Sequence, residues 1–99
     1  MTTLNSINQA IDPNFIIMAR HAMFRDFVLH FAANYKVNDA ITSERNMEVD
    51  TSYSRNGCRE QIKRLEALGR VRVSQGKRTI FIKEFSEDEL ALVKSYLPN

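Results

Sequence analysis

The 99 residues, 43% apolar and 26% charged, fit one ordered domain with a modest core and leave no room for a deep enzyme cleft beside it. The single cysteine, Cys58, cannot form an internal disulfide, so a reducing, cytoplasmic setting is expected. The net charge of +2 conceals a split: residues 51–83 hold nine basic and two acidic side chains, a net +7, against five basic and ten acidic elsewhere, a net −5. That asymmetry is either a face for a polyanion or a solvated basic surface.

Residues 1–12 are polar with scattered isoleucines and are expected to form a flexible N-terminal arm. They show no basic segment followed by an apolar run, so no secretory signal is expected. A single domain is expected over 13–99. Asp12 and Pro13 suit a helix start, as cap and first position, and the spacing predicts one long helix to about Tyr35. It carries two apolar stripes: Ile17, Phe24, Val28, Phe31 and Tyr35, and Phe15, Met18, Ala22, Leu29 and Ala33. At helical spacing these lie roughly 130° apart. One stripe faces the core; the other needs the C-terminal helix or a second subunit. Phe15, Met18, Ala22 and Leu29 are the candidate homodimer interface. Arg20, His21, Arg25, Asp26 and His30 interrupt the apolar stretch 15–35, which excludes a membrane span.

A second, short helix is expected from Asn38 or Asp39 to about Asn46, with Ala40 and Ile41 buried, Met47 and Val49 in the turn after it, and Val37 pairing as a lone strand residue with a later hairpin. A third helix is expected over about 52–68, opened by the caps Thr51, Ser52 and Ser54, with Cys58, Ile62, Leu65 and Leu68 facing inward and Gly69 ending it. Val71 and Val73 alternate with Arg70 and Arg72, which places the two arginines on the open face of a strand. The run Ser74-Gln75-Gly76-Lys77 is a turn and residues 79–82 a second strand. The hairpin spans about 70–83. Ser86 and Glu89 make a capping box for a last helix over about 86–97, with Leu90, Val93 and Leu97 on one side.

The segment from Ser54-Arg55-Asn56 through Ile62-Lys63-Arg64-Leu65-Glu66 to Leu68-Gly69-Arg70-Val71 resembles the recognition helix and first wing strand of winged helix-turn-helix regulators. The likeness spans about 37–83 in element order and 54–73 in motif. It implies a mainly α fold with a small β-hairpin (α+β), a long N-terminal helix and a C-terminal helix. Two features depart from the pattern. Residues 47–53 are longer than the usual tight turn. Gly57 falls in the first turns of the recognition helix, where it either allows close approach to a phosphate or is tolerated near a fraying end.

With Cys58, Ile62 and Leu65 inward, Arg55, Asn56, Arg59 and Lys63 project outward. Arginine can grip guanine and asparagine adenine through two hydrogen bonds each. Arg55, Asn56 and Arg59 are therefore the candidates for base readout, and Ser52, Ser54 and Lys63 for phosphate. Gln75, Lys77 and Arg78 form the candidate wing tip, which otherwise serves as a charged, solubilising turn.

No catalytic group, metal site or cofactor is expected. His21 and His30 are nine apart, out of register for a shared metal, and Cys58 reads as a small core residue. The aromatics Phe24, Phe27 and Phe31 suit packing. The expected partner is double-stranded DNA, bound sequence-specifically by a homodimer whose reading helices lie about 34 Å apart. Repressor, activator and plasmid or phage site-binding roles stay open, in the cytoplasm or on the nucleoid. A protein-interaction adaptor with an additional protein partner is one alternative, and an RNA-binding module another.

Overall fold

The computed structural model describes residues 11–98; residues 1–10 of the expected arm lie outside them. The domain is mainly α with a two-stranded antiparallel sheet: α1 (Pro13–Met18), α2 (Ala22–Asn34), α3 (Glu44–Thr51), α4 (Arg55–Ala67), β1 (Val71–Arg72), β2 (Ile80–Phe81) and α5 (Glu87–Lys94). That order is compatible with a winged helix. Among the described residues, no helix is long and apolar enough to cross a membrane.

The expected long first helix is two helices. Asp12 caps α1 through its side chain, and Pro13 stands in the first turn. Beyond Met18 the chain tightens, with Arg20 and His21 donating to Ile17 and Met18 carbonyls three residues back. His21 then goes extended and α2 begins. No proline or glycine marks the break; core packing accounts for it. Nine residues along a continuous helix rise about 13.5 Å, yet the Phe15 and Phe24 rings meet edge to face at 5.5 Å. Folding α1 back onto α2 puts both rings in one core, and the Arg25 guanidinium holds the corner by donating to the Ala19 carbonyl at 2.9 Å. Phe15 is thus fully buried in its own core and cannot belong to a stripe presented to another subunit. Of the other stripe residues, Ala22 is exposed and Met18 and Leu29 are half-buried. Ile17, assigned by periodicity to the core stripe, faces solvent. Ile11, counted with the arm, is in the core.

An arc of aromatics closes the core. From Phe24 and Phe15 it passes to Phe85 at 6.1 Å, then Phe81 at 5.9 Å, and returns to α2 at Phe31 at 5.7 Å. Such tilted and edge-on pairs add about 0.5–1.5 kcal/mol each beyond burial.

The short second helix lies about five residues later than expected. Asp39 donates to the Lys36 carbonyl at 3.0 Å and accepts from the Lys36 N–H at 2.8 Å, while Asn38 takes φ 80°. This reversal makes Ala40, not Val37, the residue that bridges Ile80. Ser43 then caps α3 by accepting from the Asn46 N–H at 3.3 Å. Met47, expected in the turn, is the buried anchor of α3, and Val49 points to solvent.

The hairpin pairs Val71 with Phe81 and Arg72 with Ile80. Val73 lies past the pairing and is exposed. Arg70 is not on an open face: it is 4% exposed and forms a two-pronged ion pair with Glu89, also 4% exposed. The C-terminal helix has its Ser86–Glu89 capping box but ends at Lys94, leaving Leu97 exposed.

Candidate nucleic-acid interface

Ser52 closes α3 in a left-handed conformation at φ 66°, and Ser54 caps α4 by accepting from the Gly57 N–H at 3.1 Å. Ser52, Tyr53 and Ser54 are therefore the whole connection between α3 and α4. The apparent excess length of residues 47–53 disappears because α3 runs on to Thr51. Tyr53 fixes the turn. Its hydroxyl donates to Asp26 of α2 and its ring lies 6.0 Å from Phe27.

Inward, Cys58 and Leu65 of α4 are fully buried, and Ile62 and Leu68 pack at the margin. Gln61 is buried as well, with no hydrogen-bond partner for its Oε1 among the described residues. Gly57 faces inward too: a Cβ there would stand 3.2 Å from the Met23 sulfur. The missing side chain thus leaves room for Met23 of α2.

Arg55, Asn56, Arg59 and Lys63 are exposed. Steps of four place Arg55, Arg59 and Lys63 on one stripe of α4. A cation at the first position of a helix opposes the backbone dipole, and here Glu48 lies 3.7 Å from Arg55 Nε. Glu44 takes Arg59 in a fork, with Nε and Nη2 each 3.0 Å from a carboxylate oxygen. The hydrogen bond from Arg59 holds the Glu44 carboxyl below its usual value, and the same bond raises Arg59.

Glu44 and Glu48 are site neighbours that sequence reasoning missed. Their spacing of four, matching that of Arg55 and Arg59, was the available signal, but the misplaced helix hid it.

Gln75, Lys77 and Arg78 are exposed at the hairpin. Gly76 takes φ 73°, and the Lys77 N–H closes the turn on the Ser74 carbonyl at 3.1 Å. Arg78 also donates to the Ile41 carbonyl at 3.3 Å, so it ties the hairpin to the start of α3. Between α3, α4 and the hairpin lies a groove of about 670 Å³, floored by Ile41, Met47, Cys58 and Ile62 and rimmed by Arg59, Lys63, Lys77 and Arg78. Of the residues expected to read bases only Arg59 lines this depression, together with Lys63 and, from the hairpin, Lys77 and Arg78; Arg55, Asn56 and Gln75 lie outside it.

No family model, curated protein or solved structure matches the chain. Among the described residues, no group of three or more His, Cys, Asp or Glu is arranged to hold a metal ion.

Proposed function

We propose that this chain is a winged helix-turn-helix protein that binds double-stranded DNA sequence-specifically as a homodimer, as a small transcriptional regulator or a plasmid or phage site-binding protein. One observation carries the reading: Arg55, Asn56, Arg59 and Lys63 stand exposed on one helix, after a three-residue turn and beside a basic hairpin. An α-helix fits the major groove, where paired donors distinguish guanine and paired donor and acceptor distinguish adenine. Arg55, Asn56 and Arg59 read bases near the helix start. Ser52, Ser54 and Lys63 hold phosphates, and Gln75, Lys77 and Arg78 reach the adjoining backbone.

The small size of the domain supports the dimer in this proposal. One domain presents one reading helix, and two half-sites a turn apart need two copies. Met18, Ala22 and Leu29 are the reachable residues of the expected seam.

The apolar floor of the groove beside α4 favours a second reading, a protein-interaction adaptor. Fluorescence anisotropy separates the two, using duplexes tiled across the DNA flanking the protein's own gene, and a scrambled duplex, at two salt concentrations. The DNA reading expects one fragment to bind at least ~100-fold tighter than the scramble. Its affinity falls with salt at a slope of about 0.9 per phosphate contact. Charge reversal at Arg59 and Lys77 abolishes that binding. Equal, weak binding to every duplex at physiological salt contradicts the reading and favours the adaptor.

A further inference from the structure

The ion pairs across the outer face of α3 and α4 form a ladder. Glu44 and Glu48 stand four apart on α3, and Arg59 and Arg55 four apart on α4, paired in antiparallel order. The Glu44 and Arg59 side chains are 41% and 51% exposed, and pairs so exposed add little to folding stability. Their geometry is nonetheless well defined. Arginine has five N–H donors in a planar fork. Glu44 grips it from the side, through Nε and Nη2. That grip leaves the Nη1 hydrogens and the outer Nη2 hydrogen free, and this end-on edge still presents two parallel donors that can pair with O6 and N7 of guanine. A side chain already held in place has less freedom to lose on binding. A carboxylate on the same face also repels phosphate; a duplex with the matching guanine offsets that penalty through the positioned Arg59, and a duplex without it does not.

Resting on the DNA-binding reading above, we infer that Glu44 is a specificity-determining positioning residue, which holds Arg59 with its Nη1–Nη2 edge free for a guanine and lowers affinity for non-cognate duplexes. Glu44 touches no base. It acts through Arg59, and its removal changes discrimination more than stability.

The test selects binders from a random-sequence duplex library with the full chain, using wild type, Glu44→Ala and Glu44→Gln in parallel. Affinities follow for the winning duplex, for the same duplex carrying 7-deazaguanine at each conserved guanine in turn, and for a scrambled duplex. Wild type is expected to fix a guanine in each half-site and to lose roughly 10-fold in affinity when that N7 is removed. Glu44→Ala, which also removes the acid from the first turn of α3, is expected to melt within several degrees of wild type, to bind the scramble more tightly, to relax the guanine and to lose less affinity with 7-deazaguanine. Glu44→Gln, which keeps one acceptor and loses the charge, is expected to retain part of the guanine preference. The inference is overturned if both variants keep the wild-type guanine preference, or if they tighten motif and scramble by one common factor, since Glu44 then acts only as a charge. A wild-type chain that selects no motif overturns the DNA reading itself, an outcome that the variants cannot mimic.

Discussion

Arg70 and Glu89, nineteen residues apart, meet as a buried two-pronged ion pair that fastens the base of the hairpin to the C-terminal helix. The guanidinium also donates to the Glu84 carbonyl at 3.2 Å and lies 5.2 Å from the Phe85 ring centre and 5.7 Å from that of Phe15. The carboxylate accepts from the Ser86 N–H at 2.7 Å. Removing one partner strands the other charge without water, so Glu89→Ala is expected to destabilise the fold by about 3–5 kcal/mol. Replacing both partners, as Arg70→Met with Glu89→Leu, is expected to recover most of that loss. Urea unfolding of the three chains checks both statements.

The same pair sets an acid dependence. Burial pushes the Glu89 carboxyl up, but hydrogen bonds from Arg70 and the Ser86 backbone outweigh it and hold the group below 4.5. A carboxyl lowered by folding adds stability that is complete above its unfolded value and is lost as pH falls through the folded one. Stability of the wild type is therefore expected to drop on acidification below about pH 5. Glu89→Gln, less stable at neutral pH, is expected to show a flatter profile there. Thermal melts across pH 3–7 measure the difference; parallel profiles contradict it.

Tyr53 supplies a second, smaller tether, from the turn before α4 to Asp26 of α2. Tyr53→Phe is expected to lose about 1 kcal/mol at neutral pH. The hydrogen bond to Asp26, then burial, raises the Tyr53 phenol above 10.0. A group raised by folding adds stability that is present below its unfolded value and is lost as pH rises through the folded one. The gap between wild type and variant is therefore expected to close in strong alkali, as read by urea midpoints at neutral and alkaline pH.

Gly57 tests the packing of α4 on α2. An added Cβ meets the Met23 sulfur at 3.2 Å and its methyl at 3.3 Å, at the far end of a flexible side chain, and the capping Ser54 hydroxyl at 3.3 Å, which must give by a few tenths of an ångström. Alanine gains up to about 1 kcal/mol of helix propensity over glycine, so Gly57→Ala is expected to be neutral or slightly stabilising. Gly57→Leu overfills the contact and is expected to lose about 1–3 kcal/mol. Duplex affinity of the alanine variant is expected to stay at the wild-type value, because the residue faces α2. A large affinity loss with unchanged stability contradicts this placement.

Local chemistry explains which features were legible in the sequence. The Ser86–Glu89 capping box, the Gly69 stop and the Gly76 turn each depend on a few adjacent residues, and all are present in the structure. The exposed face of α4 followed from the spacing of Cys58, Ile62 and Leu65. What was hidden depends on distant partners. The break between α1 and α2 carries no proline or glycine and arises because Phe15 packs with Phe24 and Phe85. Helix α3 buries only Met47, so its apolar period is too sparse to fix its ends. Arg70 alternates with valines like an exposed strand residue until Glu89 is brought to it.

In the proposed complex α4 and the hairpin face the DNA. Amide chemical-shift mapping of the isotope-labelled protein, titrated with the duplex that it binds most tightly, tests this most directly. The largest changes are expected at residues 52–63 and 75–78, with α1 and the end of α5 unmoved except where two copies meet. Changes centred on α1 and α5, with α4 and the hairpin unmoved, would contradict it.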